Sequence, residues 1–92
     1  MFSVVVNVSI APGQFEAARS HLRERVVTGA RSAPGFVKGY WTANAERTRG
    51  TSIAVFQSKE NAESAVGMIR NNPPPPGVTL NDVEVREVIA EA

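Results

Sequence analysis

Ninety-two residues leave room for one domain core and not for a second. The chain has no cysteine, which excludes disulfides, thiolate metal sites and cysteine nucleophiles together and fits a cytoplasmic setting. Ten basic against nine acidic residues give a net charge of +1, far from the basic footprint of a nucleic-acid binder, and no stretch approaches the roughly 20 apolar residues of a membrane helix. At this size a chain buries only about 60–65% of the surface its unfolded form exposes, so association with a second copy is expected.

Met1 to Val8 has no basic leader, and polar residues interrupt its apolar run too early for a signal peptide. Instead Phe2, Val4, Val6, Val8 and Ile10 alternate with Ser3, Asn7 and Ser9, which predicts a first strand with one strongly apolar face. Ala11-Pro12-Gly13 breaks it. Phe15, Ala18, Leu22 and Val26 then recur at helical spacing, with Glu16, Ser20, Arg23 and Glu24 opposite them, and Pro34-Gly35 closes this helix. Phe36–Ala43 and Thr51–Phe56 are rich in aromatic and β-branched residues and read as a hairpin around the loop from Asn44 to Gly50. Ser58 is a suitable N-cap for a second helix with Ala62, Ala65, Val66 and Ile69 on one face, ending near Asn71 or Asn72. Pro73 to Pro76 form a stiff connector, roughly 12 Å long at about 3.1 Å per residue in polyproline II geometry. A last strand runs from Val78 to Ala90, and Leu80 is out of phase with Val83 and Val85, which predicts a bulge near Asn81-Asp82.

This order gives an α+β fold over residues 1–92, the ferredoxin-like βαββαβ arrangement: a four-stranded antiparallel sheet with two helices on one face. Many functions share it, so function has to come from the site. A metal carrier of this fold needs a CxxC in the first loop, where Ala11-Pro12-Gly13-Gln14 stands, and an acylphosphatase needs an arginine there, whereas none precedes Arg19. Arg49-Gly50-Thr51-Ser52-Ile53-Ala54-Val55-Phe56 matches the ends of an RNA-recognition motif, but Thr51 and Ile53 occupy the places of its stacking rings.

Pro34-Gly35-Phe36-Val37-Lys38-Gly39-Tyr40-Trp41, together with the junction Phe56-Gln57-Ser58-Lys59-Glu60, resembles the dimeric α/β-barrel superfamily, and within it the antibiotic-biosynthesis-monooxygenase-like proteins. The resemblance spans the whole chain in element order and length. It implies a homodimer whose sheets pack face to face, with a ligand pocket beside the sheet. Its members include cofactor-free oxygenases of aromatic polyketides, haem-degrading enzymes and proteins without known chemistry.

Four residues are candidates for a small-molecule site. Asn7 is an amide in a valine-rich strand and matches by element an asparagine of the haem-degrading relatives; its plain reading is a solvent or interface amide on the less apolar side of the strand. Tyr40 and Trp41 point to opposite faces of the second strand, so one of them lies under the helices. His21, the only histidine, falls roughly 110° from the centre of the first helix's apolar stripe, at its flank. The resemblance places an iron-ligating histidine on the second helix, where Ser58 to Asn72 contains none, so neither haem nor another cofactor nor a metal is expected. No catalytic residue can be assigned. Two functions fit: a protein binding a small apolar or aromatic ligand, of cofactor-free monooxygenase type, or a non-catalytic dimerisation module.

Overall fold

β1 (Phe2–Ile10) forms because its alternating valines present a continuous apolar row to the helices, and it lies inside the sheet in the computed structural model, which describes residues 1–92. After it come α1 (Phe15–His21), a π-helical segment (Leu22–Val26) and α2 (Val27–Ser32), which run on as one bent rod. β2 (Phe36–Ala43) and β3 (Arg49–Phe56) make the hairpin, followed by α3 (Lys59–Asn71) and β4 (Val78–Glu87). The strand order is β2-β3-β1-β4, with every neighbouring pair antiparallel. This is the ferredoxin-like α+β fold.

Register assigns the two faces. Val4 pairs with Ala54 and Val85, and Val6 with Ser52 and Val83, so these side chains share the helix side. Val5 pairs with Ile53 and Glu84, and Asn7 with Thr51 and Asp82, on the open side. The β1–β4 register shifts between Asn7 and Val8, leaving Asn81 without a partner and returning Leu80 to the side of Val8. The bulge expected from the phase of Leu80 is therefore present. A second irregularity between Phe36 and Lys38 turns Val37 outward, 40% exposed.

The tightly packed core lies between α3 and the sheet. Ala62 (0% exposed) and Ala65 meet Val4 (1%) and Phe56 (2%), and Phe36 closes edge-on against Phe56, with ring centroids 5.8 Å apart at 74°. Ser58 caps α3, its Oγ accepting from the Asn61 backbone N–H at 3.1 Å. The prolines are less uniform than a straight connector: Pro75 to Val78 form a turn closed by the Val78 N–H on the Pro75 carbonyl at 3.1 Å. Gly77 takes the third position at φ +85°, where a side chain would be strained. Its carbonyl accepts from the Ala11 N–H at 2.7 Å and so ties the start of β4 to the end of β1.

Three boundaries differ from the sequence reading. β3 begins at Arg49, because the Asn44 side chain accepts from the Thr48 and Arg49 N–H groups and tightens the hairpin loop. β4 stops at Glu87, and Ile89 is 92% exposed beyond it. The first helix keeps its predicted limits but not a single period, since the Val27 N–H bonds back five residues to the Leu22 carbonyl. No helix is long and apolar enough to cross a membrane.

Phe56→Ala is expected to lower the unfolding free energy by about 3–5 kcal/mol through the cavity it leaves, whereas Ser58→Ala should cost about 1 kcal/mol. Urea midpoints of the two variants measure the difference.

Candidate functional site

The two helical layers treat the sheet differently. Whereas α3 seats on it through alanines, none of the three segments of the first helix buries a single residue. The reason lies in side-chain size. Beneath this helix β3 offers Gly50, Ser52 and Ala54, and β2 offers Ala43; the helix answers with Ala18, Gly29 and Ala30. Small residues on both walls cannot fill the space between them, and an open cavity of about 740 Å³ remains. That is ample for a drug-sized molecule.

Nineteen of the 32 residues lining this cavity are hydrophobic, and none is an aspartate or glutamate. Its polar groups are few: the Ser52 hydroxyl, the Asn72 amide, the Trp41 indole, His21 and arginines of the first helix. At one end Arg47, from the hairpin loop, stacks its guanidinium 4.6 Å from the centre of the Phe15 ring and reaches the Glu16 carboxylate at 3.5 Å, fastening the start of α1. Arg47 adopts φ 58°, a left-handed conformation uncommon for an arginine. At the other end the cavity meets Pro73 to Pro75 and Leu80.

Of the four candidates, the structure brings two to this cavity. Trp41 pairs with Ser52 and lies on the helix side. His21 stands half-buried in the wall, at the junction where α-helix gives way to π-helix. Tyr40 occupies the open face, 65% exposed. Asn7 is also on the open face: its Nδ2 donates to Asp82 Oδ1 at 2.9 Å, and its Oδ1 accepts from Thr51 Oγ1 at 2.7 Å. A pocket shared by Asn7 with either aromatic ring is thus not formed beneath the helices, because the bonds of Asn7 run along the opposite surface. Asn81 Nδ2 donates to Ser9 Oγ at 2.8 Å beside it, and the group borders a shallow polar hollow of about 440 Å³. Further along this face Arg86 donates to Glu84 at 2.7 Å; that hydrogen bond, and then the carboxylate's charge, raises the already high Arg86 pKa. Both side chains are more than half exposed, so the pair contributes little to stability.

The cavity residues that sequence reasoning passed over are Ser52, Asn72 and the first three prolines. The alternation Gly50-x-Ser52-x-Ala54 carries the signal, a strand whose helix-facing positions are all small. No three histidine, aspartate or glutamate side chains come together as a metal site.

A family model described as antibiotic biosynthesis monooxygenase matches residues 1–67. The chain belongs to this family. Comparison with curated protein sequences finds no significant match. Among solved structures, the antibiotic biosynthesis monooxygenase fold of this chain is similar to the haem degrader MhuD from Mycobacterium tuberculosis, seen with two haems in its active site; identity is 13%, coverage 100% of this chain and 99% of that one, and the TM-score 0.76. It is also similar to the Streptomyces coelicolor monooxygenase ActVA-Orf6 in complex with nanaomycin D, at 16% identity, coverage 99% and 92%, and TM-score 0.60. A dimeric ferredoxin-like protein from an uncultured marine organism aligns at 13% identity, coverage 100% and 98%, and TM-score 0.68.

Because Asn7 bonds on the face away from the cavity, Asn7→Ala is expected to cost about 0.5–1.5 kcal/mol of stability and to leave ligand binding in the cavity unchanged within about twofold. Thermal melts and calorimetric titration of the same variant check both halves.

Proposed function

We propose that residues 1–92 form one domain of a homodimeric protein that binds flat, largely apolar small molecules, and that it oxidises them in the manner of a cofactor-free monooxygenase. The observation that carries this reading is the cavity of about 740 Å³ between the first helix and the sheet, apolar and free of carboxylates. Membership of the antibiotic biosynthesis monooxygenase family supports it. A cysteine-free chain suits the cytoplasm.

The chemistry suits a substrate that carries its own reactivity. An activated methylene between aromatic rings loses a proton to give a delocalised carbanion, which passes electrons to dioxygen. The peroxide formed takes a proton back and then loses water, so that one methylene and one dioxygen give one ketone carbonyl and one water. Among the lining side chains His21 alone has a basic ring nitrogen, which makes it the one proton acceptor the wall offers. The Trp41 N–H and the Ser52 hydroxyl are donors for the oxyanion of the substrate. Asn7 has no part in this scheme.

Haem fits the cavity poorly. The residues that α3 brings to it are Ala65, Met68, Ile69 and Asn72, with no imidazole among them, and the chain's one histidine stands on the opposite wall. No step is therefore assigned to haem.

The probe of choice is 1,8-dihydroxyanthrone. Trp41 is the only tryptophan, so its emission reports on the cavity directly. The expected result is saturable quenching at micromolar anthrone, with one dioxygen consumed for each anthrone oxidised and no effect of a metal chelator. Saturable quenching without oxygen uptake would leave a binding protein, and the absence of both would leave the dimerisation module.

The homodimer rests on the open face, where Tyr40 (65% exposed) and Ile53 (45%) lie side by side with Val5 and Val55. An unpartnered apolar surface at the centre of a sheet is commonly closed by two-fold pairing. Sedimentation equilibrium at micromolar concentration is expected to return twice the 9.9 kDa chain mass. Tyr40→Glu combined with Ile53→Glu should shift the protein to monomer.

A further inference from the structure

Within β2, Gly39 and Trp41 are two residues apart and so face the same side, beneath the helices. A Cβ built on Gly39 would lie 2.9 Å from the indole Cη2 and 3.0 Å from Cζ3 of Trp41. The benzo ring of the tryptophan therefore reclines along its own strand, over the glycine, instead of standing up into the cavity. On the other side the Ile53 carbonyl oxygen is 3.4 Å from the same point, so a methyl group could not withdraw toward the sheet. The partners of the two residues across the hairpin are Ala54 and Ser52, both small. Trp41 is thus the one large side chain that β2 and β3 set into this stretch of the cavity floor, and it is laid down flat.

Backbone conformation does not demand the glycine. The left-handed glycines are Gly13, Gly35 and Gly77, and Gly39 is not among them. Glycine inside a strand weakens it and marks a place where something must approach closely. Here that something is an indole.

We infer that Gly39 is a specificity-determining residue: it is the notch that keeps the Trp41 ring flat, so that the ring serves as a stacking platform and the cavity stays deep enough for fused-ring aromatic ligands. This inference rests on the cavity being the ligand site. Flat aromatic molecules stack on such a ring in offset geometry, and a wider ligand covers more of it. A side chain at residue 39 tilts the indole away from the strand, and the only free space in that direction is the cavity. Depth is lost there first, which excludes several fused rings before it excludes one.

The test compares wild type, Gly39→Ala and Trp41→Ala as the full chain, using 1,8-dihydroxyanthraquinone as a three-ring probe and p-cresol as a one-ring probe. Calorimetry gives the affinities, and the emission of Trp41 without ligand gives the indole environment. Wild type is expected to bind the three-ring probe at least tenfold tighter than cresol. Gly39→Ala should shift the Trp41 emission and weaken the three-ring probe at least tenfold while changing cresol by less than twofold. Trp41→Ala should weaken the three-ring probe to a similar degree.

Unchanged three-ring affinity in Gly39→Ala overturns the notch and leaves the ligand site standing. A wild-type protein that binds neither probe overturns the ligand site and this inference with it. If Gly39→Ala does not fold, the double variant Gly39→Ala/Trp41→Ala, which lacks the clash, is expected to fold. A double variant as unfolded as the single one would overturn the notch.

Discussion

Contact between α3 and the sheet sets the geometry of everything else in this molecule. Ala62 and Ala65 are small enough for the helix to lie directly on Val4 and Phe56, and each is buried there. A helix seated this closely fixes the height of the helical layer. The first helix, connected to the same sheet by a short loop at each end, is held at a comparable height, yet its facing residues are also small. Protein interiors tolerate few voids, so the gap persists because the rod above it is anchored at its ends. Arg47 on Phe15 fastens one end, and the other passes through Ala33, packed on the core, into β2. One helix thus supplies stability and the other supplies room.

The same division runs through the sheet. On the helix side its centre is apolar and poor in hydrogen-bonding groups, which suits chemistry in which the substrate provides the electrons and the protein excludes water. On the open side the polar chain Thr51, Asn7 and Asp82 crosses three strands, next to the exposed Tyr40 and Ile53. Polar residues that bond to one another across strands keep their register while leaving the apolar portion free to meet a partner. The residue that looked most chemical in the sequence, an amide among valines, belongs to this second surface.

Much of the architecture was legible because it depends on local pattern. Strand alternation in β1, the Ser58 cap, the turn residues and the phase break at Leu80 all follow from neighbours a few positions apart. The face taken by Asn7 was legible in principle from the row Val4, Val6, Val8, which leaves residue 7 on the other side. Three features were not. The choice between Tyr40 and Trp41 depends on a bulge at Val37 that resets which residues of β2 face the helices, and nothing in the chain before Lys38 announces it. The cavity depends on small residues from strands and helix that are distant in sequence and meet only in the fold. The π-helical segment Leu22–Val26 contains neither proline nor glycine, and no local signal in its residues accounts for it.

That segment has a consequence for how such a wall can change. A π turn holds one more backbone unit than an α turn, so it is equivalent to an insertion of a single residue into an otherwise regular helix. Loss of one residue between Leu22 and Val26 would restore a uniform helix and rotate its second half by about 100° relative to the first. Gly29 and Ala30 would leave the cavity wall, and their neighbours would replace them, while Phe15 and Ala18 stayed in place. Changes in chain length are ordinarily absorbed in loops. Here a single insertion or deletion would re-line half of a binding chamber from within a helix, offering evolution a step in ligand preference that no point substitution supplies.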